Sequence, residues 1–417
     1  MNTIQRNIYL NRLIDRRENG MIKVITGIRR CGKSFLLFNL YYQYLLKIGV
    51  DASHILAIPL DDESYEELKD KTKLREFICN RTKDSGMYYI FLDEIQLVKG
   101  FEGLLNGLNR NTNLDIYVTG SNSKFLSSDI ITEFRGRGDE VRVYPLSFSE
   151  FCSSFEGNEN EAWKEFSLYG SLPMILSLKR KEQKANYLKT LFQKVYMSDI
   201  VDRNNIRDID VLERLLQFTA SALGSLTNPL KLANTFQSLG YGRVSDNTVR
   251  FYLQCLEDAF VIEKALQYNV KGKKYLSTPF KYYFTDVGLR NAFLNFRQYE
   301  ETHLMENIIY NELLIRGYSV DVGIVEHNIN QNGKKIRKRL EIDFVCNQGS
   351  ERYYLQSAFA IPDQEKLKQE QESLIRIEDS FKKFIIVRED TPLWRTEQGI
   401  TVMGIKDFLL NQNSLKV

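Results

Sequence analysis

The sequence predicts an α/β protein whose first domain is a parallel sheet carrying a phosphate-binding loop. Three observations carry that prediction. Met21 to Leu37 reads MIKVITGIRRCGKSFLL, an apolar β-branched run, a glycine-bounded turn and an apolar helix in succession. Short apolar runs alternate with helical stretches over the first 150 residues, the pattern of a parallel sheet covered on both faces. Polar clusters at 27–34, 93–94 and 120–123 each follow such a run, so all three fall at the carboxyl ends of strands, where open α/β sheets bind ligands.

The turn Gly27-Ile28-Arg29-Arg30-Cys31-Gly32-Lys33-Ser34 is a G-x-x-x-x-G-K-S loop in its required strand-to-helix context. Two glycines let successive N–H groups face one anion, and the helix starting near Lys33 adds the positive end of its dipole. Lys33 is expected on the β- and γ-phosphates of a nucleotide, and the Ser34 hydroxyl on Mg²⁺. Gly27, Ile28, Arg29, Arg30, Cys31, Gly32, Lys33, Ser34 and Phe35 are therefore the candidate contacts to ATP.

The remaining elements follow in order. Residues 3–17 alternate as an amphipathic helix closed by Asn19-Gly20. Strands are expected at His54 to Leu60, Met87 to Leu92, Leu114 to Thr119 and Glu140 to Tyr144, with a charged helix over 63–83. Asp93-Glu94 ends the third strand. The aspartate is placed to hold the Mg²⁺ shell opposite Ser34, and the glutamate to polarise the water attacking the γ-phosphorus. Ser121 or Asn122 is a polar contact for that phosphate or water, although a helix N-cap by Asn122 or Ser123 fits the same residues. Arg135 and Arg137, in FRGRGDE, are candidates for an arginine that stabilises charge on the transferred group, from the same chain or a neighbour. A basic surface turn is the alternative.

At 417 residues the chain has room for two or three domains, and 43% hydrophobic content can fill their cores. A net charge of +3 announces no nucleic acid, so any basic surface must be local. The five cysteines lack a C-x-x-C pair and the three histidines are far apart, which argues against zinc and fits a reducing cytoplasm. The polar start MNTIQRNIYLNRLIDRRENG lacks the apolar core of a secretory leader, and no window approaches 18 apolar residues. A cytoplasmic location with no membrane span is expected.

The segments GIRRCGKS, YIFLDEIQ, YVTGSNS and FRGRGDEVRVYPLSFSEF resemble the AAA+ ATPase domain of a large group of bacterial and archaeal proteins that carry a C-terminal domain of unknown function, the 4143 family. The likeness continues through YGSLP at 169–173, SDIVDR at 198–203, FYLQCLEDAFVI at 251–262, KYYFTDVGLR at 281–290, MENIIYNELLIRGY and EIDFV. It covers nearly the whole chain and sharpens the architecture more than the function. The expected domains are an ATPase core at 1–150, a helical lid-like region at 151–222, a winged helix at 223–298 and a C-terminal α/β domain at 299–417.

Past Pro145 the pattern is helical at 147–154, 160–169, 179–197 and 208–222. Pro229 to Leu239, a Gly240-Tyr241-Gly242 turn and a helix from Ser245 to Asp258 read as helix-turn-helix, with Ser245 as N-cap and Val249, Tyr252, Leu253 and Leu256 inward. Strand-like runs at 259–266 and 282–285 flank Lys271-Gly272-Lys273-Lys274, a basic wing. If the element binds duplex DNA, Asn247, Thr248, Arg250 and Gln254 are the reading candidates, and Lys271, Lys273 and Lys274 touch phosphates. A lid or docking surface is the alternative, and Glu257-Asp258 on the same helix favours it.

Residues 299–417 read as a helix, three strands with an Asn332-Gly333 hairpin tip, a helix at 363–378 and a strand. KKIRKR at 334–339 makes the hairpin basic. In the family this region resembles the PD-(D/E)xK nuclease fold, with Glu306 and Asp343 where the helix glutamate and strand aspartate would be. Gln356-Ser357-Ala358 replaces E-x-K, so an acid and the lysine are missing and nuclease activity is not expected. Glu341 is a replacement acid only if it shares a strand face with Asp343.

The expectation is a Mg²⁺-dependent ATPase whose cycle moves the winged-helix and C-terminal regions, with DNA as preferred partner. If the arginine acts on a neighbour's nucleotide, the chain forms a homo-oligomer. The alternatives are a slow nucleotide-gated switch or scaffold acting on protein, and a nuclease.

Overall fold

The structure, a computed structural model, describes residues 3–120, 134, 136–331 and 334–417; the side chains of 329–331 and 334–336 lie outside that description. The apolar runs of the N-terminal part form strands β1 (Ile22–Thr26), β2 (Ile55–Pro59), β3 (Tyr88–Asp93), β4 (Leu114–Thr119) and β5 (Gly138–Arg142). They make an all-parallel sheet in the order β2-β3-β4-β1-β5. β5 begins two residues before the expected 140, because its register on β1 runs from Ile22↔Gly138 to Thr26↔Arg142.

One sheet face carries Ile22, Val24, Leu56, Ile58, Ile90, Leu92, Ile116 and Val118, packed on Leu74, Ile78, Leu104 and Leu105. Each such side chain taken from water contributes roughly 1.5–3 kcal/mol. The other face holds something the apolar pattern hides. Lys23, wholly buried, pairs with Asp115. The Tyr117 hydroxyl donates to Asp115 at 2.7 Å, and the Tyr41 and Tyr117 hydroxyls meet at 2.6 Å. Tyr41 lies on the helix that follows the phosphate loop, helical over 33–47 with a wider π turn at Leu36–Tyr41, so this network ties that helix to the sheet.

Two helices of the N-terminal part differ from expectation. The first is Asn7–Asp15 rather than 3–17, and Arg6 is its cap residue. The charged stretch at 63–83 is a 3-10 segment, Glu63–Lys69, then a helix, Lys71–Arg81. Asp70 separates them: its backbone is extended and its carboxylate accepts from Thr72 N at 2.9 Å and Lys73 N at 3.0 Å.

The chain divides into two compact units. One runs to Pro145 and takes in Leu172–Met174 and Asp258–Phe260; the other holds the rest from Leu146. The second unit opens with helices Phe148–Ser154 and Glu159–Tyr169, each started by a capping box, Ser147 with Glu150 and Asn158 with Glu161. Helices Ile209–Ser221, Pro229–Ser238 and Asp246–Asp258 follow. Ser245 caps the last as expected, its Oγ accepting from Thr248 N at 3.0 Å.

Next comes the antiparallel pair β6 (Ile262–Asn269) and β7 (Lys274–Phe284), with Thr227 bridged to Phe280. The C-terminal region adds helix Glu301–Ile315, β8 (Ser319–Gln331), β9 (Lys334–Gln348), β10 (Glu351–Ala358), helix Gln364–Ile375, β11 (Lys382–Val387), β12 (Trp394–Arg395) and β13 (Thr401–Gly404). All eight strands form one sheet, β12-β13-β11-β10-β9-β8-β6-β7. β6 pairs in parallel with β8, Gln267↔Val322 to Asn269↔Ile324. The expected boundary at 298/299 is thus crossed by a sheet, and the basic 271–274 turn is not a free-standing wing. Asn332 and Gly333 lie outside the described residues, while β8 and β9 pair up to Gln331↔Lys334 on either side of them.

Candidate nucleotide site

β1 leaves the sheet at Thr26 and the chain turns at once. Gly27 has φ +137°, and a Cβ there would stand 2.0 Å from Val143 O, so no other residue fits. Gly32 has φ +99° and Arg30 φ 66°, left-handed positions that wrap the loop before the helix begins at Lys33. Lys33 is 5% exposed. Its Nζ donates to Gly27 O at 2.9 Å and Ile28 O at 3.2 Å, main-chain partners an incoming phosphate can replace. Ser34 and Phe35 are exposed.

The neighbouring strand ends supply the rest. β4 lies between β3 and β1, so Asp93, Thr119 and the loop stand side by side at the carboxyl edge. Asp93 is buried and accepts from the Thr119 hydroxyl, with the Ser34 hydroxyl close by. Burial raises its pKa, the Thr119 and Ser34 hydroxyls pull it back, and the charges of Glu94 and Asp61 push it up again. Glu94 sits at φ 50°, and its N–H donates to Thr119 Oγ1 at 3.0 Å. Gln96 Nε2 donates to its carboxylate. Ser34 and Asp93 bring two hard oxygen donors to one point, a donor set that suits Mg²⁺.

Sequence reasoning missed Thr119, whose hydroxyl donates to the Asp93 carboxylate and accepts from the Glu94 main-chain N–H; its only local signal is a polar residue closing an apolar strand. It also missed Arg6. That side chain is 3% exposed and donates from Nη1 to Cys31 O at 2.8 Å and from Nη2 to Tyr144 O at 2.7 Å. Nothing in its own neighbourhood of sequence signals that reach.

Arg137 does not join the site. Its carbonyl accepts from Ile22 N at 2.8 Å, at the amino edge of the sheet, about 16 Å of strand from the loop. There it lines a cleft with Glu18, Asn109 and Asp115. The strand register decides this: Arg137 precedes the first β5 residue, which pairs with the first of β1. It therefore does not reach phosphates on its own chain's loop. Ser121, Asn122, Ser123 and Arg135 lie outside the described residues.

In the second unit, Asn247, Arg250 and Gln254 are exposed on helix Asp246–Asp258, and Thr248 is half-buried against Ser245. Arg250 faces Asp246 at 3.7 Å. Lys271, Lys273 and Lys274 are exposed, and the β6–β8 pairing brings their turn beside β8, which β9 flanks on its other side. A cleft of about 540 Å³ is lined by Lys271, Lys274, Glu326, His327 and Arg337 among others. Acids temper it: Glu326 pairs with Arg337 and Arg339, and Glu378 with Lys271 at 3.1 Å.

Glu306, Glu341 and Asp343 meet as well, around an unexpected centre. Lys281, 3% exposed on β7, lies 2.8 Å from Glu306, 2.7 Å from Glu341 and 3.9 Å from Asp343. Glu341 and Asp343 thus share a strand face. Tyr283 OH donates to Glu306 at 2.6 Å and Ser357 N to Asp343 at 2.7 Å. Burial alone would lower the Lys281 pKa; the three carboxylates outweigh it and raise it. Among the described residues no group of three or more His, Cys, Asp or Glu is arranged to hold a metal ion. Among them, too, no helix is long and apolar enough to cross a membrane.

Comparison with known proteins gives the class first. Residues 19–152 match an AAA domain and residues 160–300 match a domain of unknown function. The first domain is thus AAA+ ATPase-like, on an α/β fold. An uncharacterized protein of Haemophilus influenzae is 35% identical over 98% of this chain and 98% of its own. This chain belongs to the same family as that protein. An uncharacterized protein of Methanocaldococcus jannaschii is 28% identical over 78% of this chain and 71% of its own. Among solved structures, the Aeropyrum pernix Orc1 protein in complex with DNA aligns with a TM-score of 0.30 and 12% identity, over 70% of this chain and 93% of that one. At that score the alignment carries no argument.

Proposed function

We propose that the protein is a Mg²⁺-dependent ATPase of the AAA+ type. The observation that supports it best is the meeting of Ser34, Asp93, Thr119 and Glu94 at the sheet edge beside the Lys33 loop. Backbone N–H groups of residues 28–34 would cradle the phosphates, and Lys33 would move from Gly27 O and Ile28 O to the β- and γ-oxygens. Mg²⁺ held by Ser34 and Asp93 would neutralise charge on the β- and γ-phosphates. Glu94 would take a proton from the water that attacks the γ-phosphorus, and ADP and inorganic phosphate would leave. Thr119, bonded to the Asp93 carboxylate and the Glu94 main-chain N–H, would hold the two residues in register.

The far-edge position of Arg137 favours a second element of the reading. An isolated chain would hydrolyse slowly and act as a nucleotide-gated switch, and an arginine from a neighbour in a homo-oligomer would speed it. Duplex DNA is the partner we favour. Helices Pro229–Ser238 and Asp246–Asp258 with the β6–β7 hairpin would serve as a winged helix, Asn247 and Arg250 facing bases. Lys271, Lys273 and Lys274 would meet phosphates together with Arg337 and Lys338. The C-terminal strands and helices would form a nuclease-like fold kept for binding, moved by the nucleotide cycle.

The test is ATP hydrolysis by the full chain, with and without duplex and single-stranded DNA, at low and moderate salt, with Lys33→Ala as blank. Mg²⁺-dependent phosphate release stimulated by duplex is expected. No release above the blank would overturn the ATPase reading. Release indifferent to DNA, with no salt-dependent DNA retention, would overturn the DNA partner in favour of protein.

A further inference from the structure

We propose that Arg6 is a positioning residue for the nucleotide phosphates, setting the phosphate loop from outside. The proposal rests on the nucleotide reading above and names a residue that reading does not require.

The argument begins with the peptide plane. In a trans peptide the C=O of one residue and the N–H of the next point in opposite directions. The Cys31 carbonyl and the Gly32 N–H are such a pair. Arg6 Nη1 holds Cys31 O at 2.8 Å and stands 3.7 Å from where a Gly32 Cβ would lie. The carbonyl is therefore fixed outward, and the Gly32 N–H is turned to the concave side, where a phosphate oxygen would lie. The loop needs this help, because Gly32 at φ +99° has no side chain to limit its rotation.

The grip is itself fixed. Arg6 Nη2 donates to Tyr144 O at 2.7 Å and Pro145 O at 3.4 Å, so the guanidinium spans from the loop to the segment after β5. The guanidinium lies 4.6 Å from the Tyr9 ring centre, and the Tyr9 hydroxyl accepts from Tyr144 N at 3.1 Å. A planar fork can hold two carbonyls in two directions; an ammonium or an amide of similar length cannot. A buried cation behind the loop also adds to the field an anion meets there.

Cys31 provides a readout separate from activity. Its side chain is buried, whereas Cys79 is exposed. The experiment measures binding of a fluorescent non-hydrolysable ATP analogue to the full chain, and alkylation of Cys31 against Cys79 by mass spectrometry. The variants are Arg6→Gln, Arg6→Lys and Arg12→Gln. Arg12 lies 5.3 Å from the same Tyr9 ring and serves as the control on the same helix.

Arg6→Gln and Arg6→Lys are expected to weaken binding by about tenfold or more and to expose Cys31 to alkylation while Cys79 is unchanged. KM for ATP should rise more than kcat falls. Arg12→Gln should match wild type. Should Arg6→Gln fail to fold, Arg6→Lys, which keeps stem and charge, decides alone. Binding unchanged in the Arg6 variants, or weakened equally by Arg12→Gln, would overturn the proposal while leaving the nucleotide site standing. A wild-type chain that binds no nucleotide would overturn the site, and this proposal with it.

Discussion

Lys33 and Lys281 are both nearly buried, 5% and 3% exposed. Their partners differ. Lys33 donates to two main-chain carbonyls of its own loop and leaves Asp93 to the hydroxyls of Ser34 and Thr119. Lys281 is engaged by three carboxylates, two of them within 2.8 Å. Neutral partners leave a cation free to meet phosphate, so the first site is open. Carboxylate partners compensate the charge where it lies, so the second is closed around its own lysine. Lys281 thus brings a positive charge to these acids from another strand, but its ammonium is spent on them rather than presented to a ligand.

The largest effect should fall on the open lysine. Lys33→Ala removes a charge aimed at the transferred group, and hydrolysis should drop by on the order of 10²–10³ or more in a phosphate-release assay. Residual turnover near wild type would mean that the loop is not where phosphate is handled. Glu94→Gln keeps shape and loses the base. kcat should fall by roughly 10²-fold or more while analogue binding stays within a few-fold of wild type. Equal loss of binding and turnover would make Glu94 a structural prop of the loop instead.

Lys281→Met sharpens the contrast from the other side. Removing one partner of a buried ion cluster leaves uncompensated charge, at a cost of about 3–5 kcal/mol. Denaturant unfolding should show the second unit weakened, with analogue binding by the first unchanged. A variant as stable as wild type would mean that the carboxylates are neutralised by protons, not by the lysine.

The two sites were also unequally legible in the sequence. The loop, Asp93 and Glu94 are contiguous motifs at strand ends, so periodicity and glycine spacing reveal them. The Ser245 cap is equally local. Arg6 grips Cys31 O across 25 residues and Tyr144 O across 138, and no local pattern encodes such a reach. Lys281 reads as a polar residue near a strand start; only the β-sheet register faces it toward Glu341 and Asp343. The same holds for β6, whose alternation marks a strand but not the neighbour it pairs with, so the fusion of the hairpin with the C-terminal sheet had no signal. Arg137 is kept from its own chain's loop for a related reason. A basic stretch reads alike in any frame, and register alone puts Arg137 at the amino edge.

A third buried acid refines the contrast by its smaller effect. Glu312 lies on the helix that carries Glu306, 3% exposed, with Arg316 Nε at 2.8 Å. Burial pushes its pKa up to about 7, and one arginine does not fully offset that. A carboxyl raised in the fold above its unfolded value, near 4.3–4.5, is protonated in the native state over a range where the unfolded chain has already lost its proton. Its contribution to stability therefore falls as pH rises from about 4.5 to about 7. Glu312→Gln removes that slope and keeps the shape. Relative to wild type, the variant should gain about 2.5 kcal/mol in urea unfolding between pH 5 and pH 8. Parallel curves across that range would mean that Arg316 alone keeps Glu312 ionised, and that a single well-placed cation can close a buried acid as three acids close Lys281.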